Sequence, residues 1–130
     1  SGSGNRYGVI PWVAGDGVME VGRYIDFHTS DGSTADNAGR IFADGTDMLV
    51  NKSWIPNLGD TYDLGNSGNR WNNLYINDLK LSNESKKDKG GNDVDGTWGE
   101  WTIQEGEEDL FLINNRNGKK YKFNLTEIKE

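Results

Sequence analysis

Catalysis needs groups that can exchange protons, attack or ligate, and this chain has few arranged to do so. His28 is the only histidine, cysteine is absent, and Asp and Glu together number 21. One imidazole excludes a His-pair metal motif within a single chain. Ser30 lies only two residues from His28 on a presumed strand end, and there is no nucleophile elbow, so a Ser/His/Asp triad has no support. So many carboxylates would supply some glycosidase-like pair by number alone, but such a dyad is defined by a ~5–9 Å separation that sequence spacing does not report. Asp31, Asp36 and Asn37 share a polar loop, yet their spacing matches no EF-hand, which needs a bidentate Glu at its twelfth position. No catalytic residue, metal ligand set or cofactor is assigned, and the chain reads as a non-enzyme.

The aromatic residues are better placed for binding. Sugar recognition stacks flat rings on C–H faces and surrounds them with amides and carboxylates. Trp12, Trp54, Trp98 and Trp101 all lie near loop-like sequence rich in Asn and Asp, and with Asp31 and Asn37 they form the candidate receptor-binding set. For each ring the competing role is packing, within the chain or between chains. Hydrophobic residues make up 33% of the chain and aromatics 11%, so apolar mass is concentrated in a few large rings. With 18 glycines besides, the composition suits a β-rich, turn-rich chain or one whose core is completed by neighbouring chains. The net charge of −7 and the absence of a basic stripe argue against nucleic acid. Without cysteine, stability must come from packing or assembly. No apolar run approaches ~18 residues and no signal-peptide pattern is present, so membrane insertion is not expected.

The elements that would position these residues are short. Val9-Ile10-Pro11-Trp12-Val13 is apolar but contains a proline, which suits an edge or a strand start. Alternation over 24–28 predicts a strand with Tyr24, Asp26 and His28 on one face and Ile25 and Phe27 on the other. Residues 29–39 are small and polar, hence a loop. Arg40-Ile41-Phe42 and Met48-Leu49-Val50 flank an Asp-Gly turn and predict a hairpin. In "GDTYDLGNSGNRWNNLYIND", 59–78, two strand-like runs flank a Gly/Asn/Ser turn, and a register break at Asn77-Asp78 precedes Leu79-Lys80-Leu81, as a bulge or turn would cause. Residues 83–97 hold one apolar side chain in fifteen and read as a flexible linker or surface loop. Trp98 and Trp101-Thr102-Ile103 precede a Gly-Glu-Glu-Asp turn. Leu110–Ile113 and Tyr121–Leu125 then face each other across an Asn-Gly turn, with Tyr121, Phe123 and Leu125 predicted to line a buried face. The class is all-β, built of short strands and hairpins. The expected organisation is an expression-tag remnant at 1–4, a β-region at 5–82, the linker or loop at 83–97, and a C-terminal hairpin module at 98–130.

The 59–78 stretch, with its Tyr-Asp-Leu-Gly start, Ser/Gly turn, Arg70-Trp71 and Leu74-Tyr75, resembles a motif recurring in bacteriophage tail fibres, tail spikes and neck appendages. "GRYIDFHTSDGSTADNAGRI", 22–41, is similar to a second segment of the same proteins, and 98–128 is similar to a terminal β-module of phage structural proteins. The resemblance implies a location in the virion and an intertwined homotrimer at the tip of a fibre, with β-sandwich-like or β-prism-like packing and a shaft upstream. Self-proteolysis by an attached chaperone is not implied, because nothing after Ile76 offers long helices or a Ser/Lys cleavage site. A trimer would bring three copies of His28 to its axis, but the His-x-His pattern of metal-bound fibres is missing.

In such a trimer, a turn followed at once by a large ring projects that ring toward a neighbouring chain. Trp71 is the expected inter-subunit wedge, with Leu64, Leu74 and Ile76 beside it and Ile25 and Phe27 completing the trimer core. The function expected is binding of a bacterial surface glycan or protein without chemistry. The alternatives are a trimerisation and capping module, and a non-catalytic piece of a glycan depolymerase tail spike.

Overall fold

The structure, a computed structural model, describes residues 13–28 and 38–130. Two antiparallel sheets make up an all-β architecture, and among the described residues the only helical element is one 3-10 turn at Glu84–Lys86. The chain divides into two compact units between Asn57 and Leu58, and each unit holds one sheet. Residues 83–97, read from sequence as a linker or loop, lie within the second unit.

The first sheet has the order β1 (Tyr24–Phe27), β2 (Gly39–Ala43), β3 (Met48–Val50). The predicted Asp-Gly hairpin is the β2–β3 connection. Asp44 does not take up a positive φ there. Its carboxylate accepts the N–H groups of Thr46 and Asp47 at 2.9 and 2.8 Å, and only Gly45 is left-handed, at φ 103°. Cross-strand partners share a face, so Tyr24, Phe42 and Leu49 lie with the Asp26/Arg40 pair. Arg40 grips Asp26 through two hydrogen bonds of 2.5 and 2.8 Å while its guanidinium lies over the Tyr24 ring. The hydrogen bonds from Arg40 hold the Asp26 carboxyl below its ordinary range.

The opposite face carries Ile25, Phe27, Ile41, Ala43, Met48 and Val50 and no polar side chain from a strand. The predicted alternation is therefore present, but its apolar side is open: Phe27 is 54% exposed and Met48 71%.

Residues 59–77, predicted to contain strand-like runs, form no strand, and the ladder resumes at Asp78. The turn within them is real. Asn66 Oδ1 accepts from the N–H groups of Gly68 and Asn69, and Asn66 N–H donates to the Asn69 carbonyl. The flanking runs pair with no strand among the described residues, and a ribbon of this size is marginal without a sheet or a core beneath it.

The second sheet runs β4 (Asp78–Ser82), β5 (Glu100–Glu105), β6 (Leu110–Asn114), β7 (Lys120–Lys122) in sequence order. The register break anticipated at Asn77-Asp78 is where β4 begins. One face carries Leu79, Leu81, Trp101, Ile103, Leu112 and Tyr121, and the other Lys80, Thr102, Gln104, Ile113 and Lys120. Trp101 and Tyr121 meet across this apolar face with centroids 5.9 Å apart. The face predicted to be buried around Tyr121, Phe123 and Leu125 is not: β7 stops at Lys122, and Tyr121 and Leu125 are exposed. Among the described residues Thr102 is the only buried one, its hydroxyl accepting from Asn115 Nδ2 at 2.8 Å.

Candidate functional site

The 83–99 segment connects two paired strands and so must return to within a strand's width of its start. Asn83 closes it at the base: its Oδ1 accepts Gly99 N–H at 2.8 Å and its own N–H donates to the Gly99 carbonyl at 3.3 Å. Asn92 organises the tip. Its Nδ2 donates to Asp95 Oδ1 at 2.7 Å and to the Thr97 carbonyl at 2.8 Å, and its Oδ1 accepts from Val94 and Asp95 N–H. Asp95 in turn accepts from the hydroxyl and N–H of Thr97 at 2.7 and 3.0 Å. The Thr97 hydroxyl, then the Asn92 amide and the Thr97 N–H, hold the Asp95 carboxyl below its ordinary range against the opposing effect of desolvation. The composition excludes a hydrophobic core here, but the polar side chains order the backbone through their own hydrogen bonds.

This loop stands at the same end of the sheet as the β6–β7 turn, and the two frame an open concavity of about 1050 Å³. The turn is organised by Asn114, whose Oδ1 accepts Arg116 N–H at 3.0 Å and whose carbonyl accepts Gly118 N–H at 2.8 Å. Of the Asn117-Gly118 pair only Gly118 adopts positive φ, 74°, so the connection is wider than a two-residue hairpin turn. Arg116 is carried across to the loop, where its Cζ lies 3.7 Å from the Trp98 ring centroid and its Nη1 donates to the Trp98 carbonyl at 2.8 Å. Trp101 lines the floor. A Cβ on Gly99 would come within 2.8 Å of the Trp101 Nε1, so the indole depends on a glycine at that position.

The fold thus brings together Trp98 and Trp101, two of the four tryptophans expected to bind, with Asn83, Asn92, Asp95 and Arg116 around the same opening. Trp54 belongs to the other unit, is 75% exposed and lies outside this concavity. Trp12, Asp31 and Asn37 fall outside the described residues. His28 is exposed just after β1, and no group of three or more His, Cys, Asp or Glu suited to a metal ion occurs among the described residues.

The residues expected to form a trimer core are all exposed in the single chain. Trp71 is 68% exposed and Leu64 71%, with Leu74, Ile76, Ile25 and Phe27 exposed as well. The Trp71 indole leans back over the turn, and a Cβ built on Gly65 would sit 3.5 Å from its Cδ1.

Arg116, Asn83 and Asn92 were not among the sequence candidates. The signals were present but local: Asn92-x-x-Asp95-x-Thr97 has the spacing of a self-capping turn, and Arg116 is the only arginine after Arg70. Their meeting depends on the β4–β5–β6 register. Chemically, the concavity offers indole rings, amides and one free-edged guanidinium; its one lining carboxylate, Asp95, accepts from Asn92 and Thr97 through Oδ1. No helix among the described residues is long and apolar enough to cross a membrane. No protein family, curated protein or solved structure matches the chain.

Proposed function

We propose that this chain forms the receptor-binding tip of a bacteriophage tail fibre or appendage, a homotrimer carried in the virion that binds a bacterial surface glycan or protein without altering it. The observation that carries this reading is the exposure of many large apolar side chains. They include the Ile25/Phe27/Met48/Val50 face of the first sheet and the run of Leu64, Trp71, Leu74 and Ile76. An apolar sheet face left open in this way marks an interaction site. Covering one exposed tryptophan of roughly 200 Å² contributes several kcal/mol per chain before entropy is subtracted, at about 25 cal/mol per Å². The tryptophan-lined concavity supports a receptor-binding role, and the motif resemblance supports the fibre context.

A trimerisation and capping module is the second reading. It is favoured by the concentration of exposed rings in 58–77. Labelling of host cells by the purified, fluorescently tagged protein, together with its mass by light scattering, separates the two. A trimer that labels cells supports the receptor-binding tip. A trimer that labels no cell but drives a fused shaft to trimerise supports the cap, and a stable monomer at high dilution overturns both.

A further inference from the structure

We infer that the concavity beside Trp98 selects saccharides that carry a carboxylate, with Arg116 as the group that reads the charge. The inference rests on the proposed receptor-binding role and adds the ligand class to it.

Arg116 is held as a ligand-ready cation. Stacking on the Trp98 ring at 3.7 Å and donation of one Nη1 hydrogen bond to the Trp98 carbonyl fix the plane of the guanidinium. Among the described residues no carboxylate pairs with it, and the carbonyl of Trp98 is its one hydrogen-bond partner. A planar guanidinium ordered in this way loses little further freedom when it engages a carboxylate through two parallel N–H donors. Arg116 therefore differs from Arg40, whose guanidinium is already clamped on Asp26.

The surroundings favour an anion on a protein that is otherwise acidic. The net charge of the chain is −7, yet along with Arg116 the concavity carries a single carboxylate, Asp95, whose Oδ1 accepts from Thr97 and Asn92. Asn83 and Asn117 spend their Oδ1 atoms on Gly99 and Lys119 N–H, which leaves their Nδ2 donors for hydroxyls. The Trp101 ring on the floor provides a flat apolar surface for the C–H face of a sugar. Cation, amide donors and ring together match an acidic monosaccharide unit better than a neutral one, which would leave the guanidinium without a charged partner.

The experiment is titration calorimetry of the intact protein with oligogalacturonate and with oligomers of N-acetylneuraminic acid, each paired with its methyl ester. Binding of either acid form roughly tenfold or more tighter than its ester, weakened by salt and lost in Arg116→Gln, is the result expected for a charge-assisted bidentate contact. Arg116→Lys should recover only part of the affinity, because it keeps the charge without the fork. The ester comparison uses the unaltered protein, so it stands even if Arg116→Gln disturbs the hairpin. Equal binding of acid and ester overturns the inference while leaving the receptor role intact. Host-cell labelling that is abolished by protease and matched by no saccharide binding overturns it in favour of a protein receptor. Failure to label cells or bind any saccharide overturns both.

Discussion

Segments 58–77 and 83–99 lie in the same compact unit and reach order by opposite routes. The first holds Trp71, Leu64, Leu74, Tyr75 and Ile76, all exposed, and its hydrogen bonds are those of the Asn66 turn and one from the Thr61 hydroxyl to the Gly59 carbonyl. The second has hardly an apolar side chain before Trp98, yet Asn83, Asn92 and Asp95 tie it to itself at several points. Polar side chains that hydrogen-bond the nearby backbone complete a structure within one chain. Large rings complete one only when something covers them, since their contribution is area removed from water. The polar loop is thus self-sufficient, and the ring-rich segment is where the proposed trimer would place a partner chain.

The largest test of this contrast is Trp71→Ala. In the proposed trimer it should cost about 3–5 kcal/mol per chain, the range for removing a covered Trp, and shift the assembly toward monomer in light scattering. Trp98→Ala should leave the mass unchanged. Equal behaviour of the two variants would break the distinction. Asn92→Ala is the converse change: loss of its side-chain hydrogen bonds to Val94, Asp95 and Thr97 should cost roughly 1–3 kcal/mol, confined to the loop. Hydrogen exchange should then rise across 83–99 and not in 58–77.

Gly65→Ala is a smaller perturbation on the other side. Gly65 sits at φ 78°, and an added Cβ would lie 3.2 Å from the Asn69 carbonyl, so about 1–2 kcal/mol of turn stability should be lost. Because the Trp71 indole rests against this glycine, tryptophan fluorescence should report the change.

The smallest expected effect is on pH. The Asp95 carboxyl is held below its ordinary value of 3.8, so its stabilisation is present above that pH and is lost as pH falls through the lowered value. Amide shifts of Asn92 and Thr97, followed by NMR during acidification, should move in that window and be flat in Asp95→Asn, while the 58–77 signals stay still.

Much of the local structure was legible in the residues. Alternation located β1, the Asp-Gly and Asn-Gly turns located both hairpins, and the break at Asn77-Asp78 marked the start of β4. The turns differ in detail from their simplest reading because Asp44 and Asn114 act through their side-chain oxygens and leave positive φ to a single glycine. Two expectations failed for one reason. The strands sought in 59–77 and the buried face sought around Tyr121 and Leu125 both assumed a covering layer: 59–77 forms no strand, and Tyr121, though paired with Leu112 and set against Trp101, stays exposed with Leu125. The 83–97 segment is a loop, as one of its two readings had it, but composition concealed its order, because low hydrophobicity measures burial and says nothing of an Asn whose amide bonds its own turn.

Among the tryptophans, the sequence grouped Trp12, Trp54, Trp98 and Trp101 by the character of their neighbours. The fold joined only Trp98 and Trp101 among those it describes, and added Arg116 from fifteen residues beyond Trp101. The amino-acid order alone determined where this chain turns, which residues alternate and that it is all-β, because backbone angles and side-chain caps act over a few residues. Only the tertiary structure decided that the β6–β7 turn lies against the β4–β5 loop and that the apolar faces stand open. Those outcomes depend on the pairing of distant strands, whose register no short window of sequence contains.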